Sequence, residues 1–392
     1  MKKIMILGAG IYQVPLIKAA KKLGCYTIVA SIPGNYPGFK FADKIYYEDT
    51  TNYDRILTIA QSEKIDGIVT AGTDVAVLTI GKVCDALGLK GLSFESAKIA
   101  SNKVMMKKAF EEYGVRTARF REVPFDFEII KKEVENLSLP LMFKAVDSSG
   151  SRGIIRVNCY DEFPEAMEYT RNATKLDYFI IEEFVEGEEF GAQAFVLDGE
   201  IQFILPHGDY VFKGDTGVPV GHYAPYAVSE AVLQDTGKQL TNAIYAMKLN
   251  NCAINADFIL SNGEVYVLEI GGRSGATCLA ELTSIYFNFD YYEKMLKVAL
   301  GEDVQFGSHG HTANASMLLT SVRSGKIVKQ QFEHNDNPDI VEIQFDYNVG
   351  DYVNAFRVGP DRIGHVITKG GTLEQAVDLL NNVLGKIEIE IE

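Results

Sequence analysis

The chain has 392 residues, enough for two or three domains with ample core. Hydrophobic residues make up 47% and charged residues 23%, an ordinary balance for a soluble globular protein. A formal charge of −15, from 38 basic and 53 acidic residues, argues against nucleic acid or anionic membrane as the main partner. It leaves room for a nucleotide, because a few local Lys and Arg suffice to hold phosphates. The five cysteines (Cys25, Cys84, Cys159, Cys252, Cys278) are scattered and form no C-x-x-C pair, so neither a zinc knuckle nor a disulfide framework is expected. The opening MKKIMILGAG has too short an apolar run for a signal peptide, and no stretch approaches membrane-spanning length. The cytoplasm is the expected location.

Lys3–Leu7 reads as a buried strand that leads through Gly8-Ala9-Gly10 into a helix over Val14–Leu23. Gly24 ends that helix, and Tyr26–Ser31 is a second strand, giving a βαβ opening. The G-x-G does not complete a dinucleotide fingerprint. Gln13 stands where the third glycine belongs, and Ala30-Ser31 replaces the acidic residue wanted at the end of the second strand. The glycines are better read as allowing a tight turn. A helix over Tyr53–Ser62, a strand over Gly67–Thr70 and a helix over Val75–Leu87 complete a small doubly wound unit to about residue 95.

An amphipathic helix over Ser101–Tyr113 opens a second unit. Beyond Leu139-Pro140, the run LMFKAVDSSGSRGIIRV gives a strand ending near Lys144, a Ser/Gly loop over 147–153, and a strand over Ile154–Val157. Such a loop exposes backbone N–H groups that can fold over phosphates, with Lys144 adding charge beside them; it can equally be a plain hairpin connection. After a helix near Glu162–Thr170 and a strand over Tyr178–Phe184, the run IIEEFVEGEEF packs five carboxylates around a strand end. It reads as a solvated acidic turn or as a hinge between a lid and a body. A hairpin through Asp198-Gly199 follows. Residues 207–227, rich in Gly, Pro and aromatics, are expected to form a loop that closes over a site, with His207 and His222 as candidates for substrate contact.

A helix over Val228–Lys248 leads into INADFILSNGEVYVLEIGGRSGAT, residues 254–277. Two apolar strands meet there at a hairpin-turn signal, Ser-Asn-Gly, with Asp257 interrupting one strand and Glu269 the other. A two-residue loop would pair Asp257 with Leu268 and put Glu269 on the other face. A three-residue loop would pair Asp257 with Val267 and Asn255 with Glu269, so that all three polar side chains share a face. Two carboxylates on one face call for a cation, and hard oxygens suit Mg²⁺ or Mn²⁺ beside nucleotide phosphates. Solvated surface carboxylates are the alternative. After a helix over Glu293–Leu300, the chain turns β-rich from about 308. A helix over Leu373–Leu384, announced by a Thr372…Gln375 capping box, and a strand over Ile387–Ile391 close it.

Lys103, Lys144, the loop 148–153, the EEFVEGEE run, Asp257, Glu269 and Arg273, in that order, resemble the ATP-grasp superfamily over nearly the whole chain. The resemblance implies an α/β and α+β protein. A doubly wound pre-ATP-grasp domain would cover 1–95, an ATP-grasp core 96–305 with its lid at about 118–184, and a mixed β-rich domain 306–392. The last region is similar to the closing domain of the biotin carboxylase and glycinamide ribonucleotide synthetase branch.

The resemblance also implies roles. Lys103 and Lys144 would hold ATP phosphates, under the lid loop Ser148, Ser149, Gly150, Ser151 and Gly153. Glu183 and Val185 would read the adenine edge with backbone groups, Phe184 would wall the pocket, and Glu189 would bind ribose. Asp257 and Glu269 would hold Mg²⁺ or Mn²⁺, and Arg273 would face the transferred phosphoryl group. Asn255, His207, His222 and Arg273 are the substrate-side candidates.

The family usually carries E-x-N-x-R at the second metal ligand, but here the Asn position is Gly271. One oxygen ligand is missing, for which water or Asn255 would substitute. After Arg273, the run Ser274-Gly275-Ala276-Thr277 lacks the charged residues of biotin carboxylase. The implied reaction is ATP-dependent carboxylate–amine ligation through an acyl phosphate, on a small carboxylate, an amino acid among the candidates, and an amine. The sequence is compatible with a homodimer. The alternatives are carboxylation or a carbamoyl-phosphate-synthetase-like reaction, a nucleotide-binding module without turnover and, last, a dehydrogenase.

Overall fold

The computed structural model describes residues 1–148, 150, 152–212, 217–307, 310–332 and 336–392. Strands Lys3–Leu7, Tyr26–Ser31, Lys44–Tyr47 and Gly67–Val69 form a parallel sheet in which the first strand lies between the second and the fourth. Apolar runs buried on both faces are what such a sheet requires. Helices Val14–Lys22, Tyr53–Glu63 and Val77–Leu87 connect and cover it.

A second four-stranded sheet, from Phe120–Pro124, Tyr178–Glu183, Leu141–Lys144 and Ile154–Val157, carries its own apolar cluster around Phe143, Phe163 and Phe179. The largest sheet has eight antiparallel strands. In spatial order they are Glu264–Gly271, Cys252–Ser261, Glu188–Leu197, Glu200–Val211, Pro219–Ala224, Ala313–Leu319, Gly364–Gly370 and Ile340–Phe345. It runs across residue 305 without a break, so the C-terminal strands extend the central sheet. A small sheet of Tyr352–Val353, Gly325–Phe332 and Ile387–Ile391 packs nearby.

The parallel sheet and the eight-stranded sheet share one core. A single apolar cluster runs from Met5 and Leu7 through Ile68 and Val77 to Phe190, Ala192, Ile254 and Ile270. Burial on this scale fixes the loops at the C-terminal edge of the parallel strands against the larger sheet. Gly72 N–H donates to the Ser274 carbonyl at 3.2 Å across that junction.

The described parts of 207–227 are strands of the large sheet for most of their length, not the loop the sequence suggests; residues 213–216 lie outside the described residues. His207 lies in the strand Glu200–Val211 and His222 in Pro219–Ala224, and both are buried. Gly208 and Gly221, part of the glycine-rich run that suggested a loop, are instead places where neighbouring strands approach closely. A Cβ on Gly221 would stand 2.3 Å from the Ser316 carbonyl oxygen, and one on Gly208 would enter the Tyr223 ring. The helices Phe94–Ala100 and Leu279–Phe287 and the strand Lys44–Tyr47 were not anticipated by the sequence reading. The helix Leu373–Leu384 begins as expected, with the Thr372 side chain accepting from the Gln375 N–H. Among the described residues, no helix is long and apolar enough to cross a membrane.

Candidate functional site

The hairpin turn uses two residues, Asn262 and Gly263, both at positive φ, and Ser261 pairs with Glu264. Two residues would place Asp257 opposite Leu268, but the register shifts between Asp257 and Phe258, leaving Leu268 as an extra residue. Asp257 therefore lies directly opposite Glu269, and Asn255 opposite Gly271. The expected three-residue loop and its pairings are corrected, while the common face survives through the bulge. Gly191 and Gln193 on the neighbouring strand face Asp257 and Asn255, and His207 faces Gly191 in turn. Gly191 leaves the space that the His207 ring fills, since a Cβ there would stand 2.3 Å from His207 Cε1.

A polar row thus crosses one face of the large sheet. Gln193 Nε2 donates to Asn255 Oδ1 at 2.7 Å, and Asn255 Nδ2 reaches Asp257 Oδ1 at 3.4 Å. Asp209 accepts from His207 Nδ1 at 2.9 Å and from His222 Nδ1 at 2.6 Å. Burial alone would raise the Asp209 carboxyl; the two imidazoles outweigh it and hold it well below the usual carboxylate range. Asp257 is open to solvent on one side and crowded by protein elsewhere. That crowding, then Glu269 and Asp209, push its carboxyl well above the usual range, against the pull of Arg273 and His207.

Cations border this pair of carboxylates. The helix Lys103–Glu112 starts at Asn102, whose side chain accepts from the Met105 N–H. Its first residue, Lys103, is buried and donates to Glu269 Oε1 at 3.0 Å and to the Ser148 carbonyl at 2.8 Å. Burial would lower the Lys103 ammonium, but Glu269, with Asp74 and Glu182 beyond it, keeps it raised. Arg273 grips Asp74 with two parallel bonds, Nε to Oδ1 at 2.8 Å and Nη2 to Oδ2 at 2.7 Å.

Lys144 is placed differently from Lys103. Its Nζ donates to Glu182 Oε2 at 2.8 Å, and Lys107 reaches the same oxygen at 3.4 Å. The two ammoniums hold the buried Glu182 carboxyl well below its usual range despite desolvation. Glu182→Gln leaves the buried Lys107 ammonium and the half-buried Lys144 ammonium without their counter-ion, and a loss of about 3 kcal/mol in urea unfolding is expected. A loss below about 1 kcal/mol would show that neither lysine depends on it.

The loop after Lys144 closes on a bond from Ala145 N–H to the Gly153 carbonyl, 2.9 Å, with Gly150 and Gly153 at positive φ. Ser149 and Ser151 lie outside the described residues. At the strand end, the Glu183 carboxylate accepts from Arg119 at 3.0 Å and from the Ser138 N–H at 2.8 Å. The Val185 N–H has no hydrogen-bond partner among the described residues. Arg156 stacks over Phe184, 4.1 Å from the ring centroid. Glu189 is exposed and pairs with Ile259, which puts it on the Asp257 face. A cleft of about 480 Å³ borders Arg119, Glu183, Phe184, Val185 and Tyr266.

Comparison with known proteins decides the family. Residues 137–281 match the model of the ATP-grasp domain, and 317–392 that of the L-amino acid ligase C-terminal domain 2. The crystal structure of phosphoribosylglycinamide synthetase from Anaerococcus prevotii is 36% identical, covers 100% of both chains and superposes with a TM-score of 0.87. The chain belongs to the ATP-grasp superfamily. A formate-dependent phosphoribosylglycinamide formyltransferase of Prochlorococcus marinus (strain NATL1A) is 24% identical, over 99% of this chain and 98% of its own. The L-amino acid ligase from Bacillus licheniformis shares the fold, at 19% identity and a TM-score of 0.81, over 100% of this chain and 99% of its own.

ATP-grasp proteins use ATP with a divalent metal, and the donor set here fits one. Asp257 and Glu269 are two opposed carboxylates, hard-oxygen donors whose mutual repulsion a cation would relieve. Sequence reasoning missed Asp74, Lys107, Glu182, Gln193 and Asp209. Lys107 could have been found, since it lies one helical turn beyond Lys103. So could Asp209, two residues after His207 in a strand.

Proposed function

We propose that this ATP-grasp protein is an ATP-dependent carboxylate–amine ligase that activates a small acid as an acyl phosphate, with release of ADP and phosphate. The observation that carries this reading is the opposition of Asp257 and Glu269 across the bulged hairpin, flanked by Lys103 and Arg273. A carboxylate is a poor acyl donor because its leaving group would be oxide. Nucleotide with its bound metal supplies the phosphoryl group that turns that oxygen into a leaving group. The chain aligns the reactants and neutralises charge as it develops.

In this reading Asp257 and Glu269 hold Mg²⁺, and Lys103 and Lys144 hold phosphates from the body and the lid. Ser148, Gly150 and Gly153 provide the covering loop, Glu183 and the unpartnered Val185 N–H meet the adenine edge, and Glu189 takes the ribose. Arg273 neutralises the transferred phosphoryl group. Residues 118–184 close as the lid, which keeps water from the activated acid; 1–95, 96–305 and 306–392 are three units of sequence, the first two on one core and the last two joined in one sheet.

Support for a small polar substrate comes from the row beyond Asp257. Asn255, His207 and His222 lie on it, and Ser316, directly opposite His222, has a buried hydroxyl oxygen with no partner among the described residues. The Anaerococcus relative is named for phosphoribosylglycinamide, an amide of glycine with a phosphorylated ribosylamine. Glycine with that amine therefore belongs in the panel of acids and amines tested. With ATP and Mg²⁺, an acid–amine pair from the panel should release phosphate in step with amide product. Phosphate release that depends on bicarbonate alone would overturn the reading in favour of carboxylation, and tight ATP binding without turnover on any pair would reduce the protein to a binding module. A cytoplasmic setting and small-molecule partners go with this function. Light scattering tests for a homodimer.

A further inference from the structure

Away from the Asp257–Glu269 pair, three donors of a different kind converge. His207 and Asp209 lie two residues apart on one strand, so their side chains share a face, and His222 stands directly opposite Asp209 on the next strand. His207, His222 and Asp209 each bring one ligand atom to a spot where all three atoms lie within 4.8 Å of one another. Both imidazoles aim Nδ1 at the same oxygen, Asp209 Oδ1, at 2.9 and 2.6 Å, with their ring planes 80° apart. Asp209 Oδ2 takes no such bond among the described residues. Hydrogen bonding alone does not require that crowding on one oxygen, whereas an ion does require its donors to converge. Both histidines are buried, and the Asp209 side chain, 15% exposed, opens the cluster to solvent.

An ion about 2.0–2.2 Å from each ligand holds neighbouring donors about 3 Å apart, close to the spacing already present. Two imidazoles and one carboxylate suit Zn²⁺ and its transition-metal neighbours better than Mg²⁺, which asks for oxygen. We propose that His207, Asp209 and His222 form a site for a divalent transition-metal ion of the zinc class, separate from the Asp257–Glu269 pair. Each imidazole ligates as its Nε2–H tautomer, and an imidazolium gives up its Nδ1 proton to solvent. The contact that favours the other tautomer, Gln193 Nε2 to His207 Nε2, is long at 3.4 Å, and that nitrogen already donates to Asn255 Oδ1 at 2.7 Å. Three protein ligands leave a tetrahedral ion one open position. On the neighbouring strand, directly opposite His222, the buried Ser316 hydroxyl oxygen has no partner among the described residues, and water on the ion would give it one. The site does not depend on the ligase reading; within the proposed ligase, His207 and His222 meet the substrate through the ion.

The test uses Co²⁺ as the probe, added to the full chain after chelator treatment, with Mg²⁺ and ADP in excess to fill the nucleotide site. Wild type should take up one equivalent with visible d–d absorption, and Zn²⁺ should displace it. His207→Gln and His222→Gln should each weaken Co²⁺ binding about a hundredfold or more, beyond what loss of an outer-shell partner costs. His222→Cys keeps a ligand, so it should bind Co²⁺ and add a thiolate charge-transfer band in the near ultraviolet, a signature that a misfolded variant would not give. Asp257→Asn should keep the visible band.

Absence of that band in the wild type would overturn the proposal. So would equal Co²⁺ binding by wild type and His222→Gln, or a band lost in Asp257→Asn but kept in His222→Gln, which would assign the ion to the nucleotide site. Failure of phosphate release on every acid–amine pair, by contrast, removes the ligase and leaves this site standing.

Discussion

Asp257→Asn is expected to lower turnover at least about a hundredfold and to remove the stabilisation that Mg²⁺ with ADP gives the wild type in thermal unfolding. The fold should survive, because the asparagine keeps the shape and removes a charge that Glu269 and Asp209 repel. The sign of the pH effect follows from the same crowding. The folded-state carboxyl is raised above its unfolded value, so the folded protein binds the extra proton, and ionising Asp257 costs stability as pH rises through the folded-state value. Metal-free Asp257→Asn should therefore melt above wild type near pH 8, with the gap narrowing toward about pH 5. Protons also compete with the cation for this oxygen, so wild-type metal affinity should fall from about pH 8 to about pH 6. Metal-dependent stabilisation that persists in Asp257→Asn would remove this residue from the site.

Arg273→Ala should reduce kcat about a thousandfold while changing ADP affinity little, as expected for a group that meets charge developing at the transferred phosphoryl. Arg273→Lys should recover only part of this, since an ammonium cannot make the paired contact with Asp74. Steady-state kinetics beside ADP titration separates the outcomes. An equal loss in kcat and nucleotide affinity would place Arg273 in ground-state binding, and an unchanged rate would make it a structural partner of Asp74.

Much of this site was legible because carboxylates inside apolar strands need a compensating charge, and Asp257 and Glu269 broke the pattern of their hairpin. Their common face was legible as well, although the route to it was not. The structure reaches it through a two-residue turn and a bulge at Leu268, and a bulge leaves no mark in residue type. The loop expected over 207–227 gives way, at its described ends, to strands, for a different reason. Glycine marks close backbone approach as readily as it marks a turn, and at Gly208 and Gly221 the approach is between strands of one sheet. Glu183 was read for its backbone alone, whereas its side chain ties Arg119 to Ser138. Asp74 was out of reach: it meets Arg273 across 199 positions of chain, and nothing in its own neighbourhood singles it out.

The continuity of the apolar interior between the parallel sheet and the eight-stranded sheet has a mechanical consequence. Those two layers are obliged to move as one block, whereas the four strands around Phe143 and Phe179 rest on a separate interior, joined by Val104 from the neighbouring helix. In the proposed ligase, the hinges of the lid would then fall near residues 118 and 184. Amide exchange should find the Phe143 strands opening at lower cost than Met5 or Ile254, as the proposed lid requires, with Lys144 carried on it and Lys103 on the neighbouring helix.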